Sequence, residues 1–368
     1  MYRLRIAWGA PRMKHSLTRR DFLLQAAGTA GALPALFGVA PIAASRVASK
    51  PEHNTLPASA PNSCSPGADP AKKFAGAFAI LATPFDQADQ IDWEDLEHEV
   101  NFCARAGAQG LVWPQLFGEF YLLSEDERLH GAEVIVRAAG ARLPVVIGVQ
   151  APASHLAVKF AQHAEEQGAS ALISLPPYLG ASELQNAGSF FNALAQGTTL
   201  PIFIQNSGPP WGPALPTEFV LKMARQNSQF GYIKEEVAPV AHRIGEYAQS
   251  GVMHGIFSGN AGRNFLDEIS HGADGTMPAC EFIDVDAQIW ALIREGNLPQ
   301  ARAMFEKLLP MINLEGIYGL QFAKEILVRR GVFKMAKLRG TAGGGLDQKD
   351  HNEIDAWWKG LAPYLRIQ

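Results

Sequence analysis

One lysine of this sequence stands where it could act as a nucleophile. Lys234 follows the apolar run Phe230-Gly231-Tyr232-Ile233, which predicts a short buried β-strand. A lysine that ends such a strand loses hydration, and burial disfavours the charged ammonium relative to the neutral amine. A neutral amine can attack a carbonyl carbon and form a Schiff base. A plain ion pair with Glu235 or Glu236 is the structural alternative.

The surrounding pattern predicts a barrel. From Phe74 onward, eight short apolar runs alternate with longer amphipathic stretches, which is typical of a parallel α/β fold. Eight such units in about 210 residues favour a closed (β/α)₈ TIM barrel with additional C-terminal helices. Catalytic side chains of such barrels lie at the C-terminal ends of the strands, where Lys234 falls. The predicted strands are Phe78–Thr83, Gly110–Trp113, Pro144–Val149, Ala171–Leu175, Pro201–Gln205, Gly231–Lys234, Gly255–Ser258 and Gly275–Pro278. The other lysines considered, Lys159, Lys222, Lys307 and Lys324, lie on helix patterns, where we expect a solvated cation.

The chain divides into four predicted segments: a signal peptide (1–44), a disordered linker (45–73), the barrel (74–285) and a C-terminal helical extension (286–368). Arg19 and Arg20 precede an uncharged stretch rich in Ala, Gly and Leu, which indicates a twin-arginine signal. Pro34 and Pro41 interrupt that stretch and argue against a stable membrane anchor. We therefore expect recognition by the twin-arginine export machinery and a periplasmic or secreted protein.

Composition narrows the class of ligand. The net charge of -4 offers no basic surplus for a nucleic-acid backbone, so we expect no nucleic-acid partner. The three cysteines lack the sequence spacing of metal ligands. The spacing of His242, His254 and His271 does not indicate a shared metal site either, so we expect no metal and no cofactor. A small molecule is the predicted ligand.

Three segments then resemble the dihydrodipicolinate synthase and N-acetylneuraminate lyase family of class I aldolases. Leu81–Phe85 is similar to the TPF strand of that family, and Ile233-Lys234-Glu235 is similar to its Schiff-base strand. Gly118-Glu119 and Leu123–Arg128 resemble its glycine-glutamate loop and LSxxER helix. The resemblance, which runs from about Phe74 to Arg366, implies condensation of Lys234 with the 2-oxo group of pyruvate or a related acid. It also implies a homo-oligomer, commonly a tetramer in this family.

The resemblance and the chain's own chemistry together suggest a set of site residues. The predicted catalytic residues are Lys234, Tyr178 and Glu235, and the predicted substrate-binding residues are Leu116, Phe117, Gln205, Asn206, Ser258 and Thr83.

The proton relay of the family is altered in this sequence. Gln205 stands where the family has its relay tyrosine, and an amide cannot titrate. Leu116 and Phe117 replace two threonines, and Leu179 replaces a second tyrosine. Backbone N–H groups of Leu116 and Phe117 could still hold a substrate carboxylate. The proton carriers left open are Glu235, Glu236, Tyr178, Glu119, a water molecule and the substrate itself. The apolar replacements, with Phe120 and Trp211, favour a substrate with an aromatic or apolar tail.

Two functions therefore remain. The first is a Schiff-base lyase, either an aldolase or a hydro-lyase, that acts on pyruvate or another 2-oxo acid. The second is an exported, non-catalytic or vestigial 2-oxo-acid-binding protein of the same fold, a hypothesis that the missing relay tyrosine motivates. Dihydrodipicolinate synthesis itself is disfavoured for the same reason.

Overall fold

Eight parallel strands form a closed barrel in the part of the chain that the computed structural model describes, residues 74–179, 183–340 and 345–367. The strands pair in sequence order, and the first pairs with the last. The predicted (β/α)₈ barrel is therefore confirmed. The predicted signal peptide, residues 1–44, and the predicted linker, residues 45–73, lie outside the described residues.

The observed elements follow the predicted alternation closely. The strands are β1 Gly76–Ile80, β2 Gly110–Trp113, β3 Val145–Gly148, β4 Ala171–Ser174, β5 Ile202–Asn206, β6 Tyr232–Glu235, β7 Gly255–Ser258 and β8 Gly275–Thr276. The helices are α1 Trp93–Ala106, α2 Glu125–Ala139, α3 Ser154–Glu166, α4 Leu184–Gln196, α5 Thr217–Gln226, α6 Val240–Gln249, α7 Phe265–Ser270, α8 Ile283–Arg294, α9 Leu298–Tyr318, α10 Leu320–Arg329 and α11 Gln348–Leu361.

Aromatic side chains fill the barrel interior. The Phe203 ring lies 4.8 Å from the Tyr232 ring and 5.4 Å from the Phe257 ring, centroid to centroid. Phe78 closes the layer, 5.0 Å from Phe257. Because side chains alternate along a strand, the next inward residue of β6 after Tyr232 is Lys234. The aromatic layer thus forms the floor beneath Lys234.

The helices after β8 add a second hydrophobic core. Helix α8 packs against α1 and β1 and is thus the eighth helix of the barrel, so the predicted boundary between residues 285 and 286 falls inside it. A buried ion pair joins the two layers, with Arg330 Nη2 2.7 Å from Asp284 Oδ2. Within the described ranges, no helix is both long and apolar enough to cross a membrane.

Candidate active site

Lys234 lies at the mouth of the barrel beside a carboxylate. Its side chain is buried, and its Nζ lies 3.1 Å from Glu236 Oε1. Lys234 and Glu236 are two residues apart on an extended segment, so both side chains point to the same side. The amine therefore pairs with Glu236 and not with Glu235.

A cavity of about 180 Å³ opens in front of this pair, which we call the Lys234 cavity. Its volume suits a small organic acid rather than a polymer. The wall combines apolar side chains with amide and carboxyl groups: Ile80, Gln115, Leu116, Phe117, Lys234, Glu236, Asn260, Ala261, Met277, Ala279 and Glu315.

Gln205, for which the resemblance predicted the position of the family's relay tyrosine, donates a hydrogen bond to the carboxylate of Glu236. Its Nε2 donates to Glu236 Oε2 over 2.8 Å, and the Ser207 hydroxyl donates to the same oxygen. Burial alone would raise the pKa of Glu236, but the Lys234 ammonium and these hydrogen bonds hold the pKa below its ordinary value. Glu236 is therefore ionised near neutral pH and can accept a proton. Gln205 thus acts on Glu236, and its Oε1 has no hydrogen-bond partner among the described residues.

Glu235 and Asn206 lie on the outer face of the barrel, so their predicted roles in catalysis and substrate binding are corrected. The two residues are paired in the register of β5 and β6. Asn206 Nδ2 donates to Glu235 Oε2 over 2.9 Å, and the Tyr247 hydroxyl donates to the same oxygen over 3.0 Å. Burial raises the pKa of Glu235. The physical reason for the correction is strand alternation, which turns Glu235 away from its neighbour Lys234.

Thr83 and Ser258 do not line the cavity either. The Thr83 hydroxyl donates to the Gly118 carbonyl over 2.6 Å and accepts from Trp113 Nε1 over 3.0 Å. Thr83 therefore fastens the loop after β2 and is bound to protein groups. Ser258 is level with Glu235 in the register of β6 and β7, so its side chain also points outward. Their predicted substrate contacts are corrected for these reasons.

Tyr178 belongs to an aromatic cluster beside the cavity. Its ring lies 5.5 Å from Phe120 and 6.4 Å from Trp211, and burial raises the pKa of its hydroxyl. None of these three residues is on the wall of the Lys234 cavity. Leu179 is 64% exposed. The structure therefore does not place Tyr178 on the wall that holds Lys234. Of the residues that favoured an apolar tail, Phe120, Leu179 and Trp211 also lie outside this wall.

Leu116 and Phe117 line the cavity, so their contact with a substrate stays a prediction, and a buried polar network holds their loop. Gln115 Nε2 donates to Gln150 Oε1 over 3.1 Å, and Gln150 Nε2 donates to the Pro114 carbonyl over 2.8 Å. In the described part of the chain, the N–H groups of Leu116 and Phe117 donate to no other residue. Both are therefore available for a substrate carboxylate.

Arg128 supports this network from α2. A capping box between Ser124 and Glu127 starts the helix. This cap explains the serine and the glutamate of the LSxxER segment in physical terms. Arg128 Nη1 and Nη2 then donate to the Gln150 and Gly148 carbonyls over 2.9 and 2.8 Å. The arginine thus fixes the end of β3 next to the cavity loop.

A second buried ion pair fastens the cavity loop to the C-terminal helices. Lys324 Nζ lies 2.5 Å from Glu119 Oε2 and donates to the Lys337 carbonyl over 2.8 Å. Burial raises the pKa of Glu119 and lowers the pKa of Lys324. The prediction that Lys324 is a solvated helix lysine is wrong, because its side chain is fully buried. Glu119 is a structural carboxylate in this arrangement.

Sequence reasoning missed Gln115 and Glu315 and left Glu236 as one of several alternatives. The alternation of β6 was the signal that could have preferred Glu236 to Glu235. Glu315 comes from α9 and has no local signal, since its place in the cavity depends on how the C-terminal layer packs. In the described ranges, no three His, Cys, Asp or Glu side chains are grouped to hold a metal ion.

A buried lysine at the end of the sixth strand, with a carboxylate beside it in one cavity, is the arrangement expected of Schiff-base barrel enzymes. A comparison with family models is consistent with this class. Residues 73–340 match the Dihydrodipicolinate synthetase family, and the chain belongs to that family. This is a family of class I aldolases and lyases whose members typically act on pyruvate-type substrates and form oligomers.

Individual relatives match about two thirds or more of this chain. A probable 2-dehydro-3-deoxy-D-pentonate aldolase of Escherichia coli strain K12 is 29% identical over 255 residues, 68% of this chain and 83% of the relative. An L-2-keto-3-deoxyarabonate dehydratase of Azospirillum brasilense is 28% identical over 271 residues, 72% of this chain and 87% of the relative. The crystal structure of dihydrodipicolinate synthase from Rhodopseudomonas palustris superposes with a TM-score of 0.72 at 23% identity, over 78% of this chain and 98% of that structure.

Proposed function

We propose that this protein is a Schiff-base lyase, an aldolase or a hydro-lyase, that acts on a 2-oxo acid and uses Glu236 as its proton carrier. The observation that carries the proposal is the 3.1 Å contact between Lys234 Nζ and Glu236 Oε1 on the wall of one cavity. The ammonium keeps Glu236 ionised, and Glu236 can take the proton that frees the amine for attack.

The first step forms the covalent bond. The neutral Lys234 amine attacks C2 of the 2-oxo acid, the carbonyl oxygen leaves as water, and a protonated imine remains. Leu116 and Phe117 hold the substrate carboxylate with their backbone N–H groups. The imine then accepts the electron pair of a breaking C3–C4 bond in an aldolase, or of a breaking C3–H bond in a hydro-lyase. Gln205 and Ser207 hold Glu236 for the accompanying proton transfer.

The cavity favours a substrate whose tail donates hydrogen bonds. Besides Glu236, Gln115 lines the cavity and is 1% exposed, with an Oε1 that has no partner in the described residues. Buried acceptors without partners lose free energy unless a ligand supplies a donor. This revises the expectation of an aromatic tail toward a hydroxylated 2-oxo acid, consistent with the deoxy sugar acids named for the two relatives.

Reductive trapping tests the covalent step. The protein is incubated with pyruvate and sodium borohydride, and the peptide with Lys234 is analysed by mass spectrometry. We expect an adduct in the wild type and in Lys222→Arg, since Lys222 is exposed on α5, and none in Lys234→Arg. Absence of an adduct with pyruvate and with other 2-oxo acids in the wild type would refute the proposal.

Turnover distinguishes the enzyme from the non-catalytic alternative. Hydroxylated 2-oxo acids are assayed for release of pyruvate, which marks aldol cleavage, and for loss of water, which marks dehydration. Turnover of at least one substrate supports a lyase. Trapping without turnover across the panel supports the binding protein instead.

We also propose that the mature protein is exported and assembles as a tetramer. Arg19 and Arg20 support the proposal of export, and the oligomers that are typical of the family support the proposal of a tetramer. Arg19→Lys with Arg20→Lys should retain the protein in the cytoplasm, whereas export of that variant would contradict the twin-arginine signal. Light scattering of the purified protein tests the tetramer.

A further inference from the structure

The C-terminal helical layer contributes a carboxyl group to the Lys234 cavity. Glu315 lies in α9, far along the chain from the barrel strands, and it lines the cavity together with Lys234 and Glu236. It is partly buried. An ionisable group in the same small cavity as the covalent nucleophile can exchange a proton with the bound substrate.

The groups around Glu315 are mostly acidic. Glu281 follows β8, Asp286 lies in the first turn of α8, and both are buried. Glu281 Oε2 has no hydrogen-bond partner in the described part of the chain. Arg263, after β7, supplies the nearby positive charge: it is exposed, and a Cβ added at Gly316 would lie 3.0 Å from its guanidinium. Across the cavity, Glu315 shares the wall with the Lys234 and Glu236 pair.

This environment separates the two cavity carboxyls. Burial raises the pKa of Glu315 to about 7, against the lowering influence of Arg263. Burial, with the charge of Glu315, also raises the pKa of Glu281. Glu236 is held ionised by Lys234, as described above. Two carboxyls whose environments push their pKa values apart are suited to act as one base and one acid.

We propose that Glu315 is the second proton-transfer residue of this site and acts as the acid that complements Glu236. The inference rests on the proposed Schiff-base function. In a dehydration, Glu236 takes the C3 proton of the imine, the C4–O bond breaks, and Glu315 gives its proton to that oxygen, which leaves as water. In an aldol cleavage, Glu236 takes the proton of the C4 hydroxyl, the C3–C4 bond breaks, and Glu315 protonates C3 of the enamine. Glu236 returns its proton to solvent, and Glu315 regains one.

The test is the dependence of kcat on pH in Glu315→Gln, measured with a substrate that the wild type converts. We expect roughly a 10²-fold or greater loss of kcat. We also expect the decline above about pH 7 to disappear, since that decline reports deprotonation of the acid. Borohydride trapping at Lys234 should persist. Glu306→Gln is the matched control, because Glu306 is an exposed carboxylate of the same helix, and it should keep the wild-type profile.

Arg263→Met provides a second test that leaves the Glu315 carboxyl in place. Loss of the nearby cation should move the decline in kcat to higher pH, which a purely structural role of Glu315 would not produce. An unchanged profile in either Glu315→Gln or Arg263→Met would overturn the inference and leave the Schiff-base proposal intact. A wild type that forms no adduct would remove the proposed function, and this inference with it.

Discussion

Replacement of Lys324 by methionine should strongly destabilise the fold and loosen the cavity loop. Lys324 is fully buried, and its Nζ lies 2.5 Å from Glu119 Oε2. Methionine fills a similar volume without the charge, so Glu119 keeps its buried carboxylate and loses its cation. Among the described residues, the hydrogen bond that Glu119 keeps comes from the Arg339 N–H over 3.2 Å. Removal of one partner from a buried ion pair costs about 3–5 kcal/mol of the free energy of unfolding.

The geometry indicates why the single substitution should lower the free energy of unfolding more than the double substitution of both partners. At 2.5 Å and an effective dielectric constant of about 20, the Coulomb attraction of the pair is roughly 6–7 kcal/mol. Desolvation of both groups offsets much of it, as the raised pKa of Glu119 and the lowered pKa of Lys324 indicate. The double variant Glu119→Gln with Lys324→Met leaves no unpaired charge. We therefore expect it to lose only about 1–2 kcal/mol.

Urea unfolding of the wild type, both single variants and the double variant measures this coupling. Lys307→Met is the control, because Lys307 is exposed on α9, and it should change the free energy of unfolding by less than about 0.5 kcal/mol. Since Glu119 follows the loop that we propose as the site of the substrate carboxylate, KM should also rise in Lys324→Met, while trapping at Lys234 persists. A coupling energy below about 0.5 kcal/mol would refute the reasoning.

Three further predictions concern carboxylates. Glu236→Gln should lower kcat by roughly 10²- to 10⁴-fold in a steady-state assay while the Lys234 adduct still forms with borohydride; an unchanged kcat would exclude Glu236 as proton carrier. Glu235→Ala should instead lower the free energy of unfolding by about 3 kcal/mol or more, because several buried donors lose their acceptor, with trapping per folded molecule unchanged. Burial raises the pKa of Glu99 to about 8 from an ordinary 4.5. Between these two pH values the folded protein keeps the Glu99 proton, whereas the unfolded chain releases it. The free energy of unfolding should therefore fall as pH rises from about 4.5 to 8. Glu99→Gln cannot ionise and should flatten that dependence in urea titrations at pH 5.5 and 8.5; an equal slope in both proteins would contradict the assignment.

The sequence by itself determined the barrel and the place of Lys234 at the end of a strand. Eight apolar runs of strand length between amphipathic helices are a local signal, because a strand that is buried on both faces is apolar at nearly every position. Lys234 ends one of these runs, and the C-terminal ends of the strands form the active-site face of barrels of this kind. The position of Gln205 near the end of β5 was visible for the same reason, since it depends only on place within a strand.

The tertiary structure decided which polar groups reach the lysine. Glu235 and Glu236 are neighbours in the chain, but strand alternation sends one to the outer helices and the other to the cavity. Glu315 and Lys324 come from the C-terminal layer, and Lys324 pairs with a residue 205 positions away. The helix pattern predicted a solvated Lys324, whereas its side chain is fully buried. Burial by a distant layer and the choice of partner both depend on how separate elements pack, so no local pattern could have placed these two groups.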